Sequence, residues 1–130
     1  MLIAGLVLAA AAAAFHVFIF VLESMRWTEP STRRVFGVQS EEDANTMKQL
    51  AFNQGFYNLF LALMTLVGVV LVAVGLLPAG VALVLAGTGT MLAAALVLVL
   101  SDGSKARAAA MQGMLPLLAV IATGIGAALA

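Results

Sequence analysis

The sequence has no cysteine. That excludes a disulfide framework, thiolate catalysis and thiolate metal ligands. It has one histidine, so zinc is a poor fit and no metal or other cofactor is implied. Charge is scarce as well. Charged side chains make up 9% of the 130 residues, against roughly 25% in a soluble domain. A water-soluble monomer cannot be covered by so few. Basic and acidic residues number six each and cancel, so no polyanion partner is implied and nucleic acid is excluded as a ligand. No nucleotide-binding glycine loop and no Ser-His-Asp set is present.

What the chain does have is hydrocarbon. Hydrophobic residues are 64% of it, against roughly 45–50% in soluble domains. A transmembrane helix needs about 20 apolar residues to cross a hydrocarbon core of about 30 Å. Four stretches qualify, at about residues 2–22, 50–74, 81–100 and 108–130. The expected fold is all-α: an integral membrane four-helix bundle, antiparallel and up-down, in a single domain. Its setting is the lipid bilayer of the cell membrane, crossed several times.

The connections differ in character. Gly75 to Gly80, with Pro78 between them, reads as a tight helical hairpin. A short polar turn runs from Ser101 to Arg107. The long connection, about residues 24–48, holds Arg26, Arg33, Arg34 and Lys48, and Lys105 and Arg107 lie in the third. With four crossings these two connections share a side. The positive-inside rule makes that side cytoplasmic and places both termini outside. Met1-Leu2-Ile3 has no basic n-region, so the first span reads as an uncleaved anchor.

Within the long connection, Pro30 is expected to break the first helix, and Trp27 sits where an interfacial aromatic belongs. Ser40 before Glu41, Glu42 and Asp43 reads as a cap with acidic residues in the first helical turn. The second long helix is therefore expected to begin near Glu41, outside the hydrocarbon. Four-residue spacing of small side chains, Gly5-Ala9-Ala13 and Ala86-Thr90-Ala94, predicts close helix packing.

Polar side chains in hydrocarbon are expensive and need a partner or a task. His16 and Glu23 lie seven apart on one face of the first helix, with Phe20 and Trp27. Their rise of about 10 Å forbids direct contact along a regular helix. The second span carries Asn53, Gln54, Tyr57 and Asn58 over a sector of about 140°. Phe52, Phe56 and Phe60 occupy the neighbouring sector. Gln112 lies at the start of the fourth span, and Pro116 removes the hydrogen bond that its carbonyl would accept. In an up-down bundle all these groups fall in the cytoplasmic half. That shared depth predicts a ligand-binding layer of His16, Glu23, Asn53, Gln54, Tyr57, Asn58 and Gln112.

The string His16, Glu23, Trp27-Thr28-Glu29-Pro30 and Phe36-Gly37, followed by Asn53-Gln54-Gly55-Phe56-Tyr57-Asn58, resembles the domain-of-unknown-function 1304 family, small four-span membrane proteins of bacteria and fungi. Gln112-Gly113 ahead of a proline resembles that family's last span. The likeness covers nearly the whole chain. It implies the fold and membrane residence, and no named activity. Small multidrug resistance transporters carry their first-span glutamate mid-membrane, whereas Glu23 is at the boundary. The arginine-rich motifs of the membrane-associated eicosanoid and glutathione family are absent.

Three functions remain open. One is a cytoplasmic-side pocket for a lipophilic small molecule or lipid headgroup, with or without chemistry. Another is an oligomeric small transporter, against which the apolar outer half argues. The third is a structural or regulatory membrane subunit whose polar layer only specifies packing. A homo-oligomer fits each of them.

Overall fold

A computed structural model describes all 130 residues. The chain is helical throughout, with five α-helices: α1 Leu2–Phe20, α2 Pro30–Phe36, α3 Glu41–Ala73, α4 Leu77–Ser101 and α5 Ala106–Ala128. A π-helical turn, Val21–Met25, continues α1, and a 3-10 turn, Gly103–Lys105, precedes α5. Four stretches are long and apolar enough to cross a membrane: Leu2–Met25, Glu41–Ala73, Leu77–Ser101 and Gly103–Ala128. Their apolar length marks a multi-pass membrane protein.

Helix ends follow their local sequence. Ser40 Oγ accepts from the Asp43 N–H at 3.0 Å and starts α3 at Glu41, because its hydroxyl satisfies an otherwise unpaired amide of the first turn. At 33 residues, α3 is about 50 Å long, well over the hydrocarbon thickness. Its charged first turns therefore stand outside the apolar run. Gly75 ends it with φ of 89°. The Leu76 N–H reaches Leu71 O at 2.9 Å and the Gly75 N–H reaches Val72 O at 3.1 Å, the paired closure that a left-handed glycine permits. Pro78 then falls in the first turn of α4, where a missing N–H costs nothing.

Pro30 does not break the first helix. Regular α-geometry ends ten residues earlier, at Phe20, and the π turn carries the chain to Met25. Pro30 instead opens α2 as its first residue. The sequence gives this proline two legitimate places, after a helix or at the start of one, and the second is taken.

The chain divides into two compact units, Met1–Phe15 with Leu61–Ala130, and His16–Phe60. In the first unit, backbones meet at small residues. A methyl built on Gly68 of α3 would lie 2.7 Å from Val84 N and 2.8 Å from Gly80 O of α4. Gly5 and Gly126 bring α1 and α5 together against Thr123 and Leu2, and Gly113 of α5 abuts Ala95 of α4. Ala9, Val84 and Ala119 form the buried core between them, flanked by Leu6, Leu8 and Val69. Thr65 and Thr88 are fully buried and donate to the carbonyls four residues back, Leu61 and Val84, at 2.9 and 2.7 Å. This satisfies the hydroxyl inside its own helix. Pro116 is buried within α5, which runs through it without interruption.

The second unit is built differently. Its core is Trp27, Ala44 and Ala51, with Phe36 and Val38 packed on it. The Trp27 indole N–H donates to Ala44 O at 2.9 Å, and its ring lies 5.2 Å from that of Phe36. A second aromatic row joins the end of α1 to α3: Phe20 meets Phe56 edge-on at 5.0 Å, and Phe56 touches Phe52 and Phe60. Offset and edge-to-face rings stabilise beyond the area they bury.

Candidate ligand cleft at the end of the first span

Glu23 is the centre of the second unit's polar chemistry. It sits in the π turn, whose Arg26 N–H reaches back to Val21 O at 3.0 Å. Such a turn inserts a residue into the helical winding and re-aims the side chains it carries. Glu23 is only 9% exposed. The Asn58 side-chain amide donates to its Oε2 at 2.8 Å and is shared with Gln54 O at 3.2 Å. Its Oε1 receives no donor from the protein and is not sealed in. Next to it, Ser24 Oγ donates to Phe52 O at 2.8 Å. Gly55 lets these two residues approach, since a methyl there would collide with Ser24 and lie 3.1 Å from Glu23 Cβ.

Two clefts meet at this point, both entirely within the second unit. The larger is open, with a volume of about 510 Å³, and its walls include Glu23, Ser24, Trp27, Lys48 and Phe52. The smaller, about 240 Å³, is lined by Glu23, Trp27, Met47, Leu50, Ala51 and Gln54. Glu23 and Trp27 belong to both, so together they form the partition. On α3, Asn45, Lys48, Gln49 and Phe52 line the larger cleft. Their spacing of three and four residues places them on one helix face. The larger volume lies in the range of small-molecule sites, and its lining sets three apolar residues, Met25, Trp27 and Phe52, among six polar ones.

The seven residues singled out from the sequence are not all brought together. Glu23 and Asn58 are in direct contact. Gln54 shares the smaller cleft with Glu23. His16 is buried at 3% exposure and engaged, but the donor on Glu23 is Asn58 and not His16. Asn53 and Tyr57 are on the exposed side of α3, Tyr57 at 62%. Gln112 is half-buried on α5, in the other unit. Ser24, Asn45 and Gln49 were not singled out in the sequence, and Lys48 was read there only as an orientation charge. The signal for the last three was their helical spacing with Phe52. Ser24 had none, because its partner is a backbone carbonyl.

Outside the spans, Arg26 and Glu29 pair at 2.6 Å between the π turn and α2. The hydrogen bond from Arg26 holds the Glu29 carboxyl below its usual range. Two bonds from Ser104, through its hydroxyl and its amide, do the same for Asp102 ahead of the 3-10 turn.

Comparison with known proteins gives one result on family and two blanks. A family model described as a protein of unknown function (DUF1304) matches residues 10–123. No curated protein matches the chain, and no solved structure does. The match takes in the π turn, both clefts and most of all four long helices, and the chain belongs to the DUF1304 family.

Proposed function

We propose that this protein binds a lipophilic molecule with a polar head, a lipid or a small amphiphile, in the cleft beside Glu23. One observation carries the reading: a carboxylate nine-tenths buried, one oxygen held by Asn58, the other without a donor beside a cleft of about 510 Å³. A buried carboxylate is costly unless both oxygens find donors, and a bound head group supplies the second. Met25, Trp27 and Phe52 offer apolar wall next to it. The polar layer therefore centres on Glu23, Asn58 and Gln54. His16 is buried but is not the donor on Glu23, and Asn53, Tyr57 and Gln112 are outside this cluster.

The charge distribution supports a cytoplasmic opening. All six basic side chains lie between residues 24 and 107 in the first and third connections, which favours an up-down bundle in the cell membrane with both termini outside. The apolar walls of the first unit argue against a continuous polar pathway.

Trp27 is the only tryptophan and stands in the cleft, so its fluorescence reports occupancy. Short-chain lipids carrying a bromine quencher on the acyl chain are expected to quench it saturably in detergent-purified protein. Quenching no greater than that of free tryptophan octyl ester in the same micelles would end the reading.

A second reading has its own support. Asn53 and Tyr57 are exposed on α3 at a level where lipid gives an amide no partner. In a structural subunit, that face would dock another helix, from a second copy or a partner. Cysteine cross-linking at Asn53 in native membranes tests it.

A further inference from the structure

The order of charges along the cleft says what kind of head group fits, granted the binding function proposed above. Glu23 is tied to Asn58, at the start of the long apolar run of α3, and Ser24 is tied to Phe52. Lys48 lines the same cleft as Glu23. It lies four residues before Phe52 and ten before Asn58, toward the charged start of α3 at Glu41. At 1.5 Å per residue, its backbone is about 6 Å beyond Phe52 and about 15 Å beyond Asn58. Passing outward from the apolar span, a ligand therefore meets a carboxylate first, then a serine, and an ammonium after them, with the Trp27 ring alongside the Ala44–Ala51 stretch that contains Lys48.

A common zwitterionic glycerophospholipid has the opposite order. Its phosphate is next to the tails and its amine is outermost, so each charge would face a like charge. Like charges brought together in a partly dry cleft repel, and each is also left unpaired. We infer that the cleft selects an amphiphile whose amino group adjoins its hydrocarbon tail and whose anionic group, a phosphate, lies beyond it. The amine supplies donors to Glu23 Oε1, which has none from the protein. The phosphate meets the lysine ammonium, a flexible point charge suited to it. The tail leaves from Glu23 toward the apolar span.

Purified full-length protein in dodecyl maltoside micelles tests this through Trp27 fluorescence. Four probes are titrated: a 2-amino-octadecyl phosphate, the same amine without phosphate, octadecyl phosphate, and a short-chain phosphatidylethanolamine. The 2-amino phosphate is expected to bind at least tenfold tighter than phosphatidylethanolamine, since hydrogen bonds to charged groups carry most of the discrimination. Glu23→Gln is expected to remove about tenfold for the two octadecyl amine probes and not to weaken octadecyl phosphate. Lys48→Gln, at an exposed position, is expected to remove about threefold for the two octadecyl phosphate probes, with the dependence on salt. Equal affinity across the four probes, or a preference for phosphatidylethanolamine, overturns the charge order while leaving an amphiphile cleft in place. No response to any of the four removes the cleft function and this inference with it. The wild-type series decides the matter even if Glu23→Gln fails to fold.

Discussion

The two units of this protein are held by different means. In the one made of Met1–Phe15 and Leu61–Ala130, helices meet through glycine, alanine and threonine, and the buried hydroxyls of Thr65 and Thr88 are spent on their own helices. In the one made of His16–Phe60, side chains reach from one element to another: Asn58 to Glu23, Ser24 to Phe52 O, Trp27 to Ala44 O, Phe20 to Phe56. The contrast follows from the solvent each must satisfy. Between apolar helices in lipid, close van der Waals contact is the main attraction available, so small residues win. Where a chain leaves the hydrocarbon it must turn, and turning exposes backbone groups that only side chains can satisfy. Long polar and aromatic side chains leave gaps when they pack, and the clefts lie there.

This contrast can be broken or sharpened, and the largest expected effect is on the glycine-packed side. Gly68→Val should destabilise by about 3 kcal/mol, because the added carbon collides with α4 backbone that cannot yield. Gly89→Ala, on the same α4 but facing open space, should be neutral or slightly stabilising. Thermal unfolding in micelles reads both, and similar losses at the two sites would mean that helix contact is not what the glycines supply.

Next comes the polar clip. Asn58→Leu should destabilise by about 2 kcal/mol, since it leaves the buried Glu23 carboxylate with no donor. Adding Glu23→Gln should return part of that loss, a coupling that a double-mutant cycle measures. Strict additivity of the two would show that the contact is incidental.

Smaller again is the indole latch. Trp27→Phe keeps an aromatic ring but removes the donor to Ala44 O, at an expected cost of about 1 kcal/mol. Amide exchange should quicken in the first turns of α3 and not in α4 or α5. Uniform acceleration would instead mark a global role.

The smallest effect is the exposed pair of Arg26 and Glu29. Arg26 holds the Glu29 carboxyl below its ordinary value near 4.5. The pairing therefore contributes fully above that value and is lost as the pH falls through the lowered one. Helical signals of α2 should weaken only in acid, and high salt should blunt the change. Weakening on the alkaline side of neutrality would contradict this sign.

Much of the architecture was legible beforehand. Ser40 with Glu41, Glu42 and Asp43 gave the start of α3, because capping is a local matter of hydroxyl and amide. The periodicity of Phe52, Phe56 and Phe60 gave one aromatic stripe, whose central ring, Phe56, the structure packs against Phe20. The π turn was not legible, because nothing in Val21–Met25 distinguishes it from an α-turn until α3 packs beside it. Nor was the fate of the amide-rich run. A helical wheel puts Asn53, Gln54, Tyr57 and Asn58 in one broad sector, but it does not say where the neighbouring helix lies within it. Asn58 found Glu23, while Asn53 and Tyr57 were left outward.

The sequence by itself determined the solvent. Sixty-four per cent hydrophobic residues in four long runs, with the basic side chains confined to two connections, leave helices in a bilayer as the only way to satisfy the backbone. It also determined where helices cap and turn, since those choices rest on neighbours in the chain. The tertiary structure alone decided that Glu23 keeps one oxygen for Asn58 and one without a protein donor beside the cleft, and that Lys48 shares that cleft. Those are facts about residues 25 or more positions apart, and only the packing of α3 against the end of the first span sets their distance.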